Sequence, residues 1–235
     1  MAEAVSMPYI ILSRHGETPT NAAAKTDRTQ KIIVGPENEP LSDKGEEQAR
    51  EAGKTISKMA QEFGFNVLAA ISSDFPRAIT TRELILQALP NQANIRREVE
   101  EKFRERNAGV FMNRKESELR QEFPDYFDGG TYANWPAHFD YGAPEGENYQ
   151  DLQNRVLPAM QARITESNLK ESDALHIVTH MHPTRVMLGE LLLLHPERIT
   201  QLPIGNATPY LLRMKDKNAL LGEGSDMHEF LRKHS

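Results

Sequence analysis

Arg14 and His15 stand directly after Tyr9-Ile10-Ile11-Leu12, a β-branched and aromatic run with the composition of a buried strand. Arg77 lies just past a second apolar run, Val67 to Ile71, and His180 ends a third, Ala174 to Thr179. Strands of one parallel sheet set their carboxyl ends side by side, and ligands collect there. Two guanidiniums and two imidazoles around one point would suit a phosphate. Guanidinium grips its oxygens bidentately, and a neutral imidazole nitrogen can act as a nucleophile near physiological pH. Arg77 also falls in the first turn of an expected helix, where the dipole and free N–H groups favour an anion. Each residue alone reads as an ordinary polar side chain at a rim; the convergence gives them meaning. His180-Met181-His182 has a spacing that metal sites also use, but no Asp or Cys ligand flanks it, so no metal is expected.

The elements that would position these groups alternate between strand and helix. Ala22 to Pro40 is polar, with Gly35-Pro36, and reads as a loop. Leu41 to Glu46 opens a helix with Ser42 or Asp43 as N-cap; Ala49, Ala52, Ile56, Met59 and Phe63 form its apolar face up to Gly64. Ser72-Ser73-Asp74 would cap a helix running through Ala78, Leu84 and Leu89 to Pro90, and Ile95 to Phe103 reads as a strand carrying charges. Helical spacing returns over Tyr149 to Asn168, Pro183 opens a helix to Leu194, and Thr208 to Met214 reads as a last strand. Asn107 to Glu147 holds half of the aromatics among glycines, prolines and acids. It reads as a largely helical cap insertion lying over the sheet, with a small core of its own. The expected fold is α/β: a three-layer α/β/α sandwich with a mainly parallel sheet and a helical cap. One catalytic domain would span residues 1–235, with a charged surface tail from about 215.

The chain has 235 residues, a formal net charge of -6 and no cysteine. That composition leaves no disulfide, thiolate zinc site or cysteine nucleophile. An acidic balance argues against a nucleic-acid partner but not against a small anion drawn into a basic cleft. Met1 to Ser6 carries Glu3 and no basic residue, unlike a signal peptide, and Val186 to Leu194 is interrupted by Gly189 and Glu190, so no membrane span is expected. These features point to a soluble, cytoplasmic protein; the converging arginines and histidines suit a small phosphorylated substrate, and a homodimer is left open.

In chain order, Arg14-His15-Gly16-Glu17-Thr18 with Asn21, Pro40 to Ala49, Ser72 to Thr81, Phe103 to Gly109, Gly146 to Asp151 and Val178 to His182 form a series of blocks. Together they resemble the histidine phosphatase superfamily, in its phosphoglycerate-mutase-like branch. The resemblance implies that His15 accepts a phosphoryl group, that Arg14, Arg77 and His180 hold its oxygens, and that Asn21 adds a neutral hydrogen bond. It makes Glu105 the general acid toward the leaving oxygen and then the base toward water. Gly35 in the first loop and Met181 beside the second histidine are the implied substrate contacts. No cofactor is implied. Basic surroundings would lower the pKa of Glu105, so burial or a loop motion must oppose them.

The chain departs from the mutase pattern at several points. No tyrosine follows Glu105 in Arg106-Asn107-Ala108-Gly109, no Arg-Arg pair occurs in the cap, His180-Met181-His182 stands where mutases resemble H-G-N, and Val34 replaces a polar residue before Gly35. The departures favour a metal-independent phosphatase of small phosphomonoesters. The alternatives are a phosphoglycerate-type mutase, a non-catalytic phospho-ligand or protein-binding module, and a metallohydrolase using His180 and His182.

Overall fold

Tyr9–Arg14 (β1), Asn66–Ser72 (β3), Arg96–Val99 (β4) and Asp173–Thr179 (β6) pair in parallel, and Pro209–Arg213 (β7) and Ala219–Leu220 (β8) extend the sheet antiparallel. The order is β4-β3-β6-β1-β7-β8. This computed structural model describes residues 8–27, 29, 31–213, 219–220 and 225–233. Side chains alternate along each strand. Ile10 and Leu12 therefore enter one core with Leu175 and Ile177, beneath Tyr149–Glu166 (α5) and Met181–Leu191 (α6). Tyr9 and Ile11 enter the opposite core with Ala70, beneath Asp43–Phe63 (α2) and Pro76–Leu86 (α3). The three-layer α/β/α arrangement read from the sequence is the one observed.

Several local readings differ. The segment read as a loop holds a helix, Pro19–Thr26 (α1), capped by Thr18, and a short strand, Ile32–Ile33 (β2), paired with Arg114–Lys115 (β5). The helix buries no residue, so it leaves no apolar periodicity to read. Ser42 caps α2, but the N-cap of α3 is Phe75 without a side-chain cap bond. Ser73 and Asp74 are engaged elsewhere, by His180 and Arg104. The strand expected over Ile95 to Phe103 stops at Val99 and gives way to a 3-10 turn, Glu101–Phe103, while α6 starts at Met181, ahead of Pro183. The segment read as tail contributes β8 and a helix, Ser225–Lys233 (α7), with Met227 fully buried in the core; its residues 215–218, 221–224 and 234–235, like Met1 to Met7, lie outside the described residues.

Between Asn107 and Glu147 the structure has one short α-helix, Glu116–Glu122 (α4), and a series of 3-10 turns. Its glycines and prolines shorten every helical run. Phe111, Leu119, Phe127 and Trp135 bury themselves with Ile33 in a separate cluster. The ends of the segment meet. The Asn107 amide donates to Glu147 Oε2 at 2.9 Å, the Glu147 amide donates back to the Asn107 carbonyl at 2.8 Å, and Arg155 of α5 grips the Glu147 carboxylate at 2.6 and 2.7 Å.

Candidate active site

Backbone register assembles the centre. Arg14 lies opposite Thr179 in the β1–β6 ladder, and the His15 amide donates to the Thr179 carbonyl at 2.9 Å. His15 and His180, each one residue beyond its strand, are thereby set side by side with ring centroids 5.1 Å apart. The turn at His15 needs close approach of two backbones. A Cβ on Gly16 would lie 2.3 Å from the Gly45 carbonyl oxygen, so only glycine fits there. The Gly16 amide donates to Thr81 Oγ1 at 3.0 Å, which ties the turn to α3.

His15 is buried, and its Nδ1 lies 2.7 Å from the Gly16 carbonyl oxygen. A carbonyl only accepts, so the proton is on Nδ1 and Nε2 keeps its lone pair. Burial first, then Arg14, His180 and Arg77, pushes the His15 pKa well below the usual imidazole value, so the ring is neutral at pH 7. His180 Nε2 bonds Ser73 Oγ at 2.9 Å, and burial with Arg77 brings its pKa to about 3. Arg14 Nη2 donates to Asn21 Oδ1 at 3.3 Å, and Arg77 Nη1 donates to the Pro36 carbonyl at 2.7 Å. Arg14 Nε and His180 Nδ1 are buried with no protein partner. Buried donors are normally satisfied. The centre is therefore built with hydrogen-bonding capacity that the protein does not use.

Glu105 approaches from the turn after β4. Its Oε1 accepts from the Arg106 amide at 2.7 Å, from the His182 amide at 3.3 Å and from His182 Nδ1 at 3.0 Å; Oε2 accepts from the Met181 amide at 3.1 Å. Burial alone would raise this carboxyl, but His182, then His180 and the Arg106 amide, hold it well below the usual carboxylate range. Burial in turn pushes His182 down to about 4 against the pull of Glu105. At pH 7 the pair is a carboxylate beside a neutral imidazole.

The structure thus brings Arg14, His15, Asn21, Arg77, Glu105 and His180 together. Gly35 lies in the loop that Arg77 holds through Pro36, with Thr20 Oγ1 and Glu39 Oε2 each 2.7 Å from where its Cβ would be. The Met181 amide is committed to Glu105, and its side chain packs on the sheet core. His180 and His182 bond different partners, Ser73 and Glu105, and among the described residues no three His, Asp or Glu side chains converge as a metal-ligand set. Sequence reasoning places Ser73, Thr81 and His182 in family blocks but gives none of them this role: Ser73 reads as a helix cap, Thr81 as part of a helix and His182 as half of a metal spacing. A cleft of about 370 Å³ opens beside Glu105, lined by Val34, Phe75 and Met112 among charged residues that include Glu37, Arg104 and Arg155. Val34 sits at φ +45°, an unusual conformation for a β-branched residue and one that recurs at functional loops.

Fold and site together define an α/β protein with a buried cluster of two histidines and two arginines at the carboxyl ends of its strands. The chain belongs to the histidine phosphatase superfamily (branch 1), whose family model matches residues 10–223, so the resemblance read from the motifs is borne out. A 2,3-bisphosphoglycerate-dependent phosphoglycerate mutase of Parvibaculum lavamentivorans is 26% identical over 212 residues, 90% of this chain and 93% of the relative. Among solved structures, a mycobacterial glucosyl-3-phosphoglycerate phosphatase superposes with a TM-score of 0.70 at 20% identity, covering 87% of this chain and 89% of that one. The alpha-ribazole phosphatase of Shigella flexneri gives 0.68 at 18% identity, covering 92% and 100%. These two likenesses establish the fold. No helix among the described residues is long and apolar enough to cross a membrane.

Proposed function

We propose that the protein hydrolyses small phosphomonoesters in two steps through a phosphohistidine on His15, with Arg14, Arg77 and His180 supplying the charge and hydrogen bonds that the phosphoryl group needs. The observation that carries this reading is the buried, neutral His15 ring, whose Nδ1–H is fixed on the Gly16 carbonyl so that Nε2 is free. In the first step Nε2 attacks phosphorus as the P–O bond to the leaving group breaks, and the departing oxygen takes a proton from Glu105. In the second, water attacks the phosphohistidine, its proton passes to Glu105, and His15 Nε2 departs. The resting Glu105 is ionised, so the proton must arrive with the substrate. The negative phosphate raises the pKa of a neighbouring carboxyl, and a phosphate monoanion brings a proton of its own. Two guanidiniums already neutralise a phosphate dianion, so a divalent ion is not required.

The named mutase relative makes phosphoglycerate isomerisation the second reading. Hydrolysis is favoured because Arg106, the residue after Glu105, is buried between Trp135 and Tyr149, with its guanidinium 5.2 and 5.3 Å from the two rings. Its guanidinium donates to the Trp135 carbonyl at 3.3 Å from between those rings, where mutases of the family place a tyrosine instead, and no adjacent arginine pair stands in the insertion. The purified protein, treated with chelator, should release inorganic phosphate from small phosphomonoesters and show acid-labile, base-stable label after rapid quench. Isomer exchange dependent on a bisphosphate primer would replace this reading with the mutase. Activity lost to chelator and restored by a divalent ion would overturn metal independence.

A further inference from the structure

His182 has specific surroundings that the proposed reaction leaves unused. Its Nδ1 lies 3.0 Å from Glu105 Oε1, and both side chains are 11% exposed. A carboxylate oxygen only accepts, so this contact fixes the neutral ring as the Nδ1–H tautomer. The two carboxylate oxygens are not equivalent. Oε1 receives three N–H groups, the amides of Arg106 and His182 and the His182 ring, whereas Oε2 receives only the Met181 amide. An ionised carboxylate offers about four lone-pair sites over its two oxygens. Oε1 is therefore saturated, and Oε2 keeps one site open.

We propose that His182 is a positioning residue for Glu105: its Nδ1–H fills Oε1 and confines the transferable proton to Oε2. The proposal rests on the reading of Glu105 as proton donor. In the first step the proton leaves Oε2 for the departing oxygen and the resulting carboxylate keeps the His182 bond; in the second, Oε2 takes a proton from water. His182 itself gains and loses none. Without the ring N–H, Oε1 would have an open site, and a protonated Glu105 could hold its proton facing away from the substrate. The same loss removes a donor from the charged form of the carboxyl, so its pKa rises.

The other groups facing this pair keep one charge state across the neutral range. Glu105 is also faced by Arg14 of β1, Arg77 of α3, His180 after β6 and Tyr149 of α5; His182 is faced by Arg106, by Arg185 of α6 and by the Tyr149 ring at 5.8 Å. The arginines remain cationic, His180 is neutral with a pKa of about 3, and burial raises the Tyr149 phenol above its usual value. The substrate phosphate titrates at about pH 6 with or without His182. The displacement of the basic limb of the pH profile between the two proteins, rather than its position, therefore reads the coupling of Glu105 to His182.

The test compares single-turnover phosphorylation of His15 by glycerol phosphate and by p-nitrophenyl phosphate across pH. His182→Ala should slow the glycerol phosphate reaction by about 10- to 100-fold, the size of a lost hydrogen bond to a charged group. Nitrophenolate leaves without a proton, so its rate should change by less than about 3-fold. The basic limb of the glycerol phosphate profile should move to higher pH, because the acid form of Glu105 persists further. His182→Asn restores an N–H near the same place and should recover most of the lost rate. Equal losses for both leaving groups, with an unmoved basic limb, would make His182 a packing residue and overturn the proposal alone. Absence of phosphohistidine in the unmodified protein would overturn the proposed function as well. If His182→Ala does not fold, the ring nitrogen shifts of the unmodified protein decide: the Nδ1–H tautomer supports the proposal, and the Nε2–H tautomer overturns it.

Discussion

The carboxyl edge of the sheet is buried, whereas the insertion between Asn107 and Glu147 is largely exposed around a small core, and the two are built by different means. At the edge, position follows from strand register. Arg14 and Thr179 are ladder partners, and His15 and His180 follow one residue later on neighbouring strands. In the insertion, position follows from ring packing. Phe111 meets Phe123, Tyr126, Phe127 and Trp135 with centroids 5.0, 5.3, 5.8 and 5.3 Å away, over a backbone of turns with positive φ at Asn113, Asp128 and Glu145. Register holds reacting atoms in place because slipping it would break a whole ladder. A cluster of rings on turns can be repacked one residue at a time. The first construction suits a reaction centre and the second a surface that selects what enters.

If that contrast is right, the largest effect belongs to the edge. His15→Ala should abolish acid-labile labelling and lower turnover by at least about 10⁴-fold while leaving the fold intact by circular dichroism. Retained labelling would move the nucleophile elsewhere. In the insertion, Phe111→Ala should cost about 3–5 kcal/mol, as truncation of a buried phenylalanine does. Hydrogen exchange should quicken over residues 107–147 while the amides of β1 and β6 keep their protection. Loss of protection in both regions together would erase the distinction.

Acid should separate the two regions again. His15, His176, His180 and His182 are buried at or near the edge, with pKa values pushed down by burial, to about 3 for His176 and His180 and about 4 for His182. The unfolded chain takes up protons on these rings from about pH 6.5 downward, and the folded chain does not. Stability is therefore complete above that pH and declines as pH falls toward 4, by about 1.4 kcal/mol per pH unit for each histidine. Glu105, also depressed, loses its contribution further down, in the same direction. Urea midpoints at pH 7 and pH 5 measure this, and an unchanged midpoint would refute the neutral, buried rings. The insertion core contains no histidine, so its local opening should respond less. The smallest effect is expected where the regions join. Glu147→Gln weakens the grip of Arg155, a partly exposed ion pair, and should cost about 1 kcal/mol. Because Arg155 also donates to the Lys102 and Arg104 carbonyls, KM should rise more than kcat falls.

The same division governs what the amino-acid sequence discloses. The apolar runs of β1, β3 and β6 and the basic residues after them are local signals, and the pocket follows once the strands are parallel. Glu105 is legible only through a family motif, because it stands in a charged run with Glu98, Glu100, Glu101 and Arg104. Its partner His182 lies 77 residues away, and no local pattern links them. The capping residues before α3 misled for a related reason. Ser73 and Asp74 have good cap chemistry, but tertiary partners, His180 and Arg104, took both side chains. The helix α1 had its Thr18 cap and its proline at the first turn, yet its exposed, alanine-rich body gave no periodicity to confirm them.

The reciprocal bonds between Asn107 and Glu147 have an evolutionary consequence. A segment that leaves and re-enters the domain at one doorway, and leans on the first loop at the β2–β5 pair, asks little more of the scaffold about what lies between. Closing a loop costs only slightly more as the loop grows, so the excursion can be lengthened, trimmed or exchanged while the doorway stays shut. Relatives sharing this sheet could therefore acquire new substrates by grafting at one hinge point, with the histidines and arginines inherited unaltered.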